Sequence, residues 1–231
     1  MIEQSFETRI SPIKSIRNKN SILVHEIYAS LQGESTFVGE PCVFIRTTGC
    51  HLRCTYCDTE QAFFNGAEYE IDAIINEVKK LGIRLVEVTG GEPLLQRPVF
   101  DLLTRLCNEG FQVLLETSGG VSIAKVDRRV HVILDVKTPS SGEADRNIWS
   151  NLKILWPLCE VKFVIGDEND YEFSKKMMNE HHLTSTTKVL FSPAYQKMSD
   201  TQLADWIIRD RLPIRFQVQL HKVLWGNKTG V

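Results

Sequence analysis

The sequence predicts an α/β protein built on a parallel sheet, in the form of an open or partial barrel. Three observations predict it. β-Branched runs alternate with stretches of helical periodicity from residue 22 onward, as repeated βα units with right-handed crossovers do. The unusual polar residues fall just after those runs, where parallel sheets carry their ligands. The length of 231 residues is below the ~250 typical of a full eightfold barrel.

Residues 1–21 are polar and unpatterned and are expected to form an extension or edge element. Residues 22–231 read as a single domain, without a repeat, low-complexity tract or linker. Ile22–Tyr28 is the first expected strand, rich in β-branched residues. Ala29–Gly39 is polar and turn-like. Pro41–Thr48, centred on Val43, Phe44 and Ile45, is the second strand and delivers the chain to a cysteine-rich loop. Ile71, Ile74, Ile75, Val78 and Leu81 then fall at helical spacing, with Asp72 near the start and Gly82 just past the end. Leu85–Val88 is a strand, and Val99, Leu102, Leu103 and Leu106 mark a helix that stops near Gly110. Phe111–Leu115, Val130–Leu134 and Val161–Ile165 are further strands, the last followed by a helix over 169–181. Val189–Phe191, a helix carrying Leu203, Trp206, Ile207 and Ile208, and a closing strand Phe216–Leu220 complete the alternation.

Bulk properties remove several function classes. Hydrophobic residues make up 42% and charged residues 24%, the balance of a soluble globular chain able to bury a core. A net charge of −2 offers neither the basic field that attracts nucleic acid nor a cationic helix for membranes. Glu3, Glu7 and Arg9 stand where a secretory signal needs an apolar core, and no apolar run approaches the ~18 residues of a membrane span. Six cysteines in a chain this long, three of them crowded together, suit a reducing compartment better than a disulfide scaffold. A cytoplasmic location is the expectation.

The crowded thiols are Cys50, Cys54 and Cys57, spaced Cys-x3-Cys-x2-Cys directly after the second strand. One tight loop with this spacing can wrap three sulfurs around an inorganic centre. A structural zinc takes four ligands, and electron-carrying Fe–S clusters usually hold four cysteines. Three cysteines leave one iron of a [4Fe-4S] cluster open. Two other readings of the triplet stand beside this one. A zinc site would need a histidine as fourth ligand, with His51 badly placed and His25, His131 and His221 distant in sequence. Alternatively the thiols are inert core residues, as Cys42, Cys107 and Cys159 are expected to be.

The spacing resembles the radical S-adenosylmethionine (SAM) superfamily, whose open iron is chelated by SAM. Thr89-Gly90-Gly91-Glu92-Pro93, taken alone an ordinary turn, is similar to that superfamily's second motif, and it follows a strand at the expected distance. The resemblance implies SAM contacts at Tyr56, Cys57, Asp58 and Gly91, and less specifically at Ser118, Asp135 and Lys137. For Tyr56 the alternative is loop packing; for Asp135 and Lys137 it is a buried ion pair. The implied fold is a contracted (βα)6-type radical SAM barrel with a parallel sheet.

Further stretches narrow the likeness. Residues 26–35, residues 39–46, the Cys57-Asp58-Thr59 ending, residues 135–142 and residues 217–226 together resemble the 7-carboxy-7-deazaguanine synthase family, from about residue 22 to the end. That resemblance implies ring contraction of 6-carboxy-5,6,7,8-tetrahydropterin to 7-carboxy-7-deazaguanine with loss of ammonia, on the route to queuosine and related 7-deazapurines. It implies SAM as a recyclable cofactor, Mg²⁺ at Thr59, and substrate contacts at Leu31, Gln32, Gly33, Glu34, Arg46 and Thr89. The chemistry of these residues suits a pterin: carboxylate and amide groups pair with aminopyrimidinone N–H donors, and a guanidinium forks onto a carboxylate. A hydroxyl beside substrate oxygens suits Mg²⁺. Also implied are a homodimer and a one-electron donor such as flavodoxin or ferredoxin. In some members the C-terminal carboxylate enters the site; the sequence here ends at Val231. Two alternatives remain at this point: a glycyl-radical-enzyme activase, and a non-catalytic Fe–S or zinc protein.

Overall fold

The computed structural model describes residues 6–14, 18, 20–228 and 230. Much of the expected extension 1–21, and Val231, therefore lie outside the described residues. In chain order the elements are α1 (Phe6–Arg9), α2 (Ser11–Lys14), β1 (Ser21–Leu31), β2 (Pro41–Thr47), β3 (Ala67–Glu70), α3 (Ile71–Leu81), β4 (Leu85–Gly90), α4 (Pro98–Asn108), β5 (Gln112–Thr117) and β6 (His131–Val136). They continue as β7 (Glu160–Ile165), α5 (Glu168–Glu180), α6 (Leu183–Thr186), β8 (Lys188–Pro193), α7 (Asp200–Asp210), β9 (Arg215–Phe216) and α8 (Leu220–Trp225).

Among the described residues the strands form one sheet in the order β3-β1-β2-β4-β5-β6-β7-β8-β9. From β2 onward every pairing is parallel, while β1 runs antiparallel to both β2 and β3. The sheet has two free ends, so it is a partial barrel, as the sequence predicts. Register alternation gives it two faces. Ile45, Val88, Leu115 and Val132 lie in one row and face outward onto the buried sides of the helices, Ile74 and Val78 of α3 and Val99, Leu102 and Leu103 of α4. Each such side chain, fully buried, contributes roughly 1.5–3 kcal/mol. The inner face has a smaller apolar floor of Cys42, Phe44, Leu85, Leu114 and Ile133, on which Tyr28 and Phe37 pack. Above that floor the inner face turns polar.

The strongly periodic helices form where the sequence predicts. Ile71, Ile74, Ile75 and Val78 are buried, and α3 ends on Gly82 at φ 70°, a left-handed cap that glycine adopts without strain. In α7 only Leu203 and Ile207 are buried, whereas Ile208 is 72% exposed. Cys42 and Cys159 are core thiols and Cys107 is half-buried.

The βα alternation is less regular than expected. No α-helix bridges β5 to β6, and only 3₁₀ turns (Pro139–Ser141, Ala144–Arg146, Trp149–Lys153) bridge β6 to β7. β1 runs through Ala29–Leu31, which the sequence reads as turn. β3, a charged edge strand without an apolar face, gave no hydrophobic signal. The expected closing strand Phe216–Leu220 is two residues long, because Gln219 turns inward and Leu220 opens a helix, its N–H donating to Gly33 O at 2.9 Å. No helix among the described residues is long and apolar enough to cross a membrane.

Candidate active site

One open cavity at the carboxyl ends of the parallel strands takes in all the residues expected at the site. The loops around it are fastened to one another by backbone approach and buried carboxylates.

The Gly90-Gly91 turn shows why glycine is needed there. A β-carbon on Gly91 would lie 2.3 Å from Gly49 O, and one on Gly90 would lie 2.2 Å from Thr47 O. The close approach is thus to the backbone leading into the cysteine loop, with Glu92 N–H donating to Gly49 O at 2.9 Å. Glu92 itself, fully buried, joins this turn to the end of β5. Its carboxylate accepts from the Thr117 hydroxyl (2.8 Å), Ser118 N–H (2.8 Å), the Ser118 hydroxyl and Leu94 N–H (3.0 Å). The sequence reading named Ser118 as a SAM contact; the structure also gives it this partner.

The cysteine loop is held from several sides. Thr55 N–H donates to Ser141 O (3.0 Å) and its hydroxyl to Ser140 O (2.7 Å). Lys197 donates to Thr55 O at 3.0 Å and lies 5.7 Å from the Tyr56 ring centre. The Tyr56 hydroxyl pairs with Thr138 Oγ1 at 3.2 Å, and burial pushes its pKa up to about 12. Arg53 folds back onto its own loop, donating to Cys50 O (2.8 Å) and Leu52 O (2.7 Å) with its guanidinium 4.0 Å from the Phe63 ring centre.

Cys50, Cys54 and Cys57 are free thiols that line the cavity together. Burial pushes Cys50 up to about 12 and Cys57 to about 11, and raises Cys54 as well. These thiols stay protonated until a metal displaces the proton. Among the described residues no three histidine, cysteine, aspartate or glutamate side chains are gathered as tightly as a single ion's shell requires. Three thiols from one loop, opening together onto a cavity, fit a cluster ligated on one side.

Beside them lies a buried charge network. Lys137 pairs with Asp135 at 3.0 Å. Lys162 pairs with Glu34 at 2.7 Å, with Glu116, and with Asp135 at 3.5 Å. Burial works against both ammonium groups, but Asp135, with Cys54 and Tyr56, holds Lys137 well above the usual lysine range, and Glu116, Glu34 and Asp135 do the same for Lys162. Asp135 Oδ1 is buried without a protein partner while Oδ2 takes both lysines. A buried carboxylate oxygen with spare acceptor capacity fits a hydroxylated ligand such as the ribose of SAM.

The turn after β1 forms the opposite wall. Gln32 donates its amide to Glu87 and accepts from Glu34 N–H at 3.0 Å. Gly33 meets His221, whose Nδ1 would lie 2.2 Å from any β-carbon placed there. Arg46, expected to be open for a substrate carboxylate, is already oriented: it donates to Glu26 at 2.8 Å and to the Tyr28 hydroxyl at 2.9 Å. Thr89 is buried at the cavity wall and Leu31 lines it. Thr59 donates to Asp58 at 2.9 Å; against burial, which pushes it up, that hydroxyl, Lys222 and Gln219 hold the Asp58 carboxyl below its usual value. Gln219 bridges the two walls, donating to Glu34 (2.9 Å) and Asp58 (3.1 Å).

Sequence reasoning missed Glu26, Tyr28, Glu87, Glu116, Lys162, Gln219 and His221 as cavity residues. Glu87, Glu116 and Lys162 sit inside strands where only an inward-facing alternation marks them, Gln219 falls in the stretch read as strand, and His221 lies just past it.

The family model of the radical SAM superfamily matches residues 44–143. A 7-carboxy-7-deazaguanine synthase of Koribacter versatilis is 44% identical over 221 residues, covering 89% of this chain and 98% of that protein. Another, of Chlorobaculum tepidum, is 42% identical over 206 residues, covering 88% and 94%. Among solved structures, the crystal structure of QueE from Escherichia coli shares the fold with a TM-score of 0.72 at 22% identity, covering 86% of this chain and 94% of that chain.

Proposed function

Because the chain belongs to the 7-carboxy-7-deazaguanine synthase family of radical SAM enzymes, we propose that it contracts 6-carboxy-5,6,7,8-tetrahydropterin to 7-carboxy-7-deazaguanine with release of ammonia, in the presence of Mg²⁺. One observation carries the reading beyond the family: the thiol loop and the polar turn 31–34 face each other across one cavity with a buried lysine–carboxylate network between them.

In this reading Cys50, Cys54 and Cys57 hold a [4Fe-4S] cluster. Cluster and SAM together, when bound, supply the one-electron chemistry that starts the reaction. The chain's own residues orient the reactants. Tyr56, Cys57, Asp58, Gly91, Ser118, Asp135 and Lys137 cradle SAM, with Asp135 Oδ1 available to a hydroxyl. Gln32 and Glu34, with the Leu31 and Gly33 backbone and Thr89, take the aminopyrimidinone edge of the pterin; Lys162, paired with Glu34 at 2.7 Å, aims it. Arg46, steadied by Glu26 and Tyr28, meets the substrate carboxylate with its remaining N–H groups. Thr59, beside Asp58, supplies the oxygen-rich edge that Mg²⁺ prefers. The apolar floor beneath the network limits water. Residues 22–231 act as one domain, in a cytoplasmic homodimer fed by a flavodoxin- or ferredoxin-like donor.

Steady-state turnover of the pterin by anaerobically reconstituted protein tests the assignment. Glu34→Gln should raise KM for the pterin about tenfold, or ~1.4 kcal/mol, while SAM cleavage without substrate stays at the parent rate. An unchanged KM would remove Glu34 from the substrate wall, and SAM cleavage with no pterin turnover in the parent would point to a protein substrate.

A further inference from the structure

We infer that the N-terminal segment Phe6–Lys14 is a clasp on the cysteine loop, with Arg9 as its positioning residue, and that it sets how long a bound cluster is retained. The sequence marks this segment only as polar extension, and the proposed chemistry makes no use of it.

Two separate contacts tie the segment to the loop. Arg9 Nη1 donates to His51 O at 3.1 Å and to Glu143 Oε1 at 2.9 Å. The same Glu143 oxygen accepts from Arg53 N–H at 2.7 Å, and Glu143 N–H rests on the Ser141 hydroxyl at 3.1 Å. Both members of the ion pair are shielded, their side chains only 11% and 8% exposed, so removing Arg9 leaves the Glu143 carboxylate to the Arg53 N–H and to Arg146 at 3.8 Å. Four residues further on, Ile13 lies flat against Gly49: a β-carbon there would be 2.7 Å from both Ile13 Cγ1 and Cδ1. Residues 49, 51 and 53 are thus pinned from outside the loop, on the backbone that carries Cys50.

The placement matters because all three thiols come from this one loop. A cluster with three protein ligands has no second element to hold it when one ligand swings away. Outer-shell partners of this kind are typically worth 10–100-fold in metal affinity. Arg9 does not line the cavity; it acts through the loop backbone and through Glu143.

The experiment rests on the cluster half of the proposed function and not on the substrate. Full-length parent, Arg9→Ala, Arg9→Lys and Ile13→Ala are reconstituted anaerobically, and iron transfer to a colorimetric Fe²⁺ chelator is followed with the loss of cluster absorbance near 400 nm. Arg9→Ala should release iron about tenfold faster than the parent. Arg9→Lys keeps the charge opposite Glu143 on a shorter side chain whose single nitrogen must reach both oxygens, and should fall between the two. Ile13→Ala should also release faster, through the apolar contact alone. The far-ultraviolet circular dichroism melt of each apoprotein separates a local clasp from general unfolding, since a clasp leaves the helix-and-sheet melt near the parent's. Equal release rates in parent, Arg9→Ala and Ile13→Ala would overturn the clasp. A melt lowered in proportion to faster release would overturn it too, and a parent that takes up no iron–sulfur cluster would instead overturn the functional reading.

Discussion

Alanine at Gly91 puts a β-carbon 2.3 Å from Gly49 O, backbone against backbone, with no flexible side chain to yield. Overpacking of this sort costs roughly 1–3 kcal/mol. Gly91→Ala should therefore lower the thermal midpoint of the apoprotein and reduce iron uptake, because the displaced partner is the entry to the cysteine loop. A stable variant with full iron content would show that the two loops adjust independently. At this scale the sequence was informative where chemistry is unusual: three thiols, two adjacent glycines, a carboxylate beside a hydroxyl. It was silent where an ordinary residue acquires meaning from its neighbours. Glu92 reads as part of a turn, yet it holds Thr117 and Ser118 of the next strand. Arg46 stands out in the sequence as a candidate for a substrate carboxylate, but its orientation by Glu26 and Tyr28 depends on the antiparallel pairing of β1 with β2.

The segment between β1 and β2, which carries residues proposed to meet the substrate, is fastened at Thr36 and Phe37. Thr36 gives both its N–H (3.2 Å) and its hydroxyl to Glu160, which also meets His131 Nε2 at 2.9 Å, and Phe37 packs edge-on against the His131 ring at 4.8 Å. Burial pushes the Glu160 carboxyl up, but the bonds from His131 and Thr36 hold it below its usual value. Thr36→Val removes one of those bonds while keeping the side chain's shape, a loss of about 1 kcal/mol. If the latch sets the position of Gln32 and Glu34, the KM for the pterin rises roughly fivefold with little change in the affinity for SAM. Equal loss of both affinities would mark Thr36 as a general stability residue. Elements with an apolar stripe, such as α3 and α4, were legible because burial of that stripe drives them. β3 and the helix-free crossovers flanking β6 were not, since hydrogen bonding and loop packing set them without a hydrophobic period.

Across the whole molecule, the barrel interior gathers Glu34, Glu87, Glu116 and Asp135 around Lys137 and Lys162. Burial, and then the neighbouring Glu116 and Glu34, raise the Glu87 carboxyl well above its usual value. The folded protein thus keeps a proton there that the unfolded chain releases near pH ~4.3. Stability is lost as pH climbs from that value towards the raised one, because above it a charge must be buried. Glu87→Gln should therefore raise the thermal midpoint relative to the parent more at pH 8 than at pH 5; the opposite order would mean that Glu87 is ionised and paired in the fold. The parallel sheet and its open barrel were legible from periodicity and length, whereas this interior charge balance needs the register of five strands at once. Whether this cavity carries out radical SAM ring contraction is decided by mass spectrometry of the products formed anaerobically by reconstituted protein with reductant, SAM, Mg²⁺ and 6-carboxytetrahydropterin. The parent should form 7-carboxy-7-deazaguanine and Cys54→Ala none. A parent that binds zinc and leaves SAM and pterin intact would rule ring contraction out.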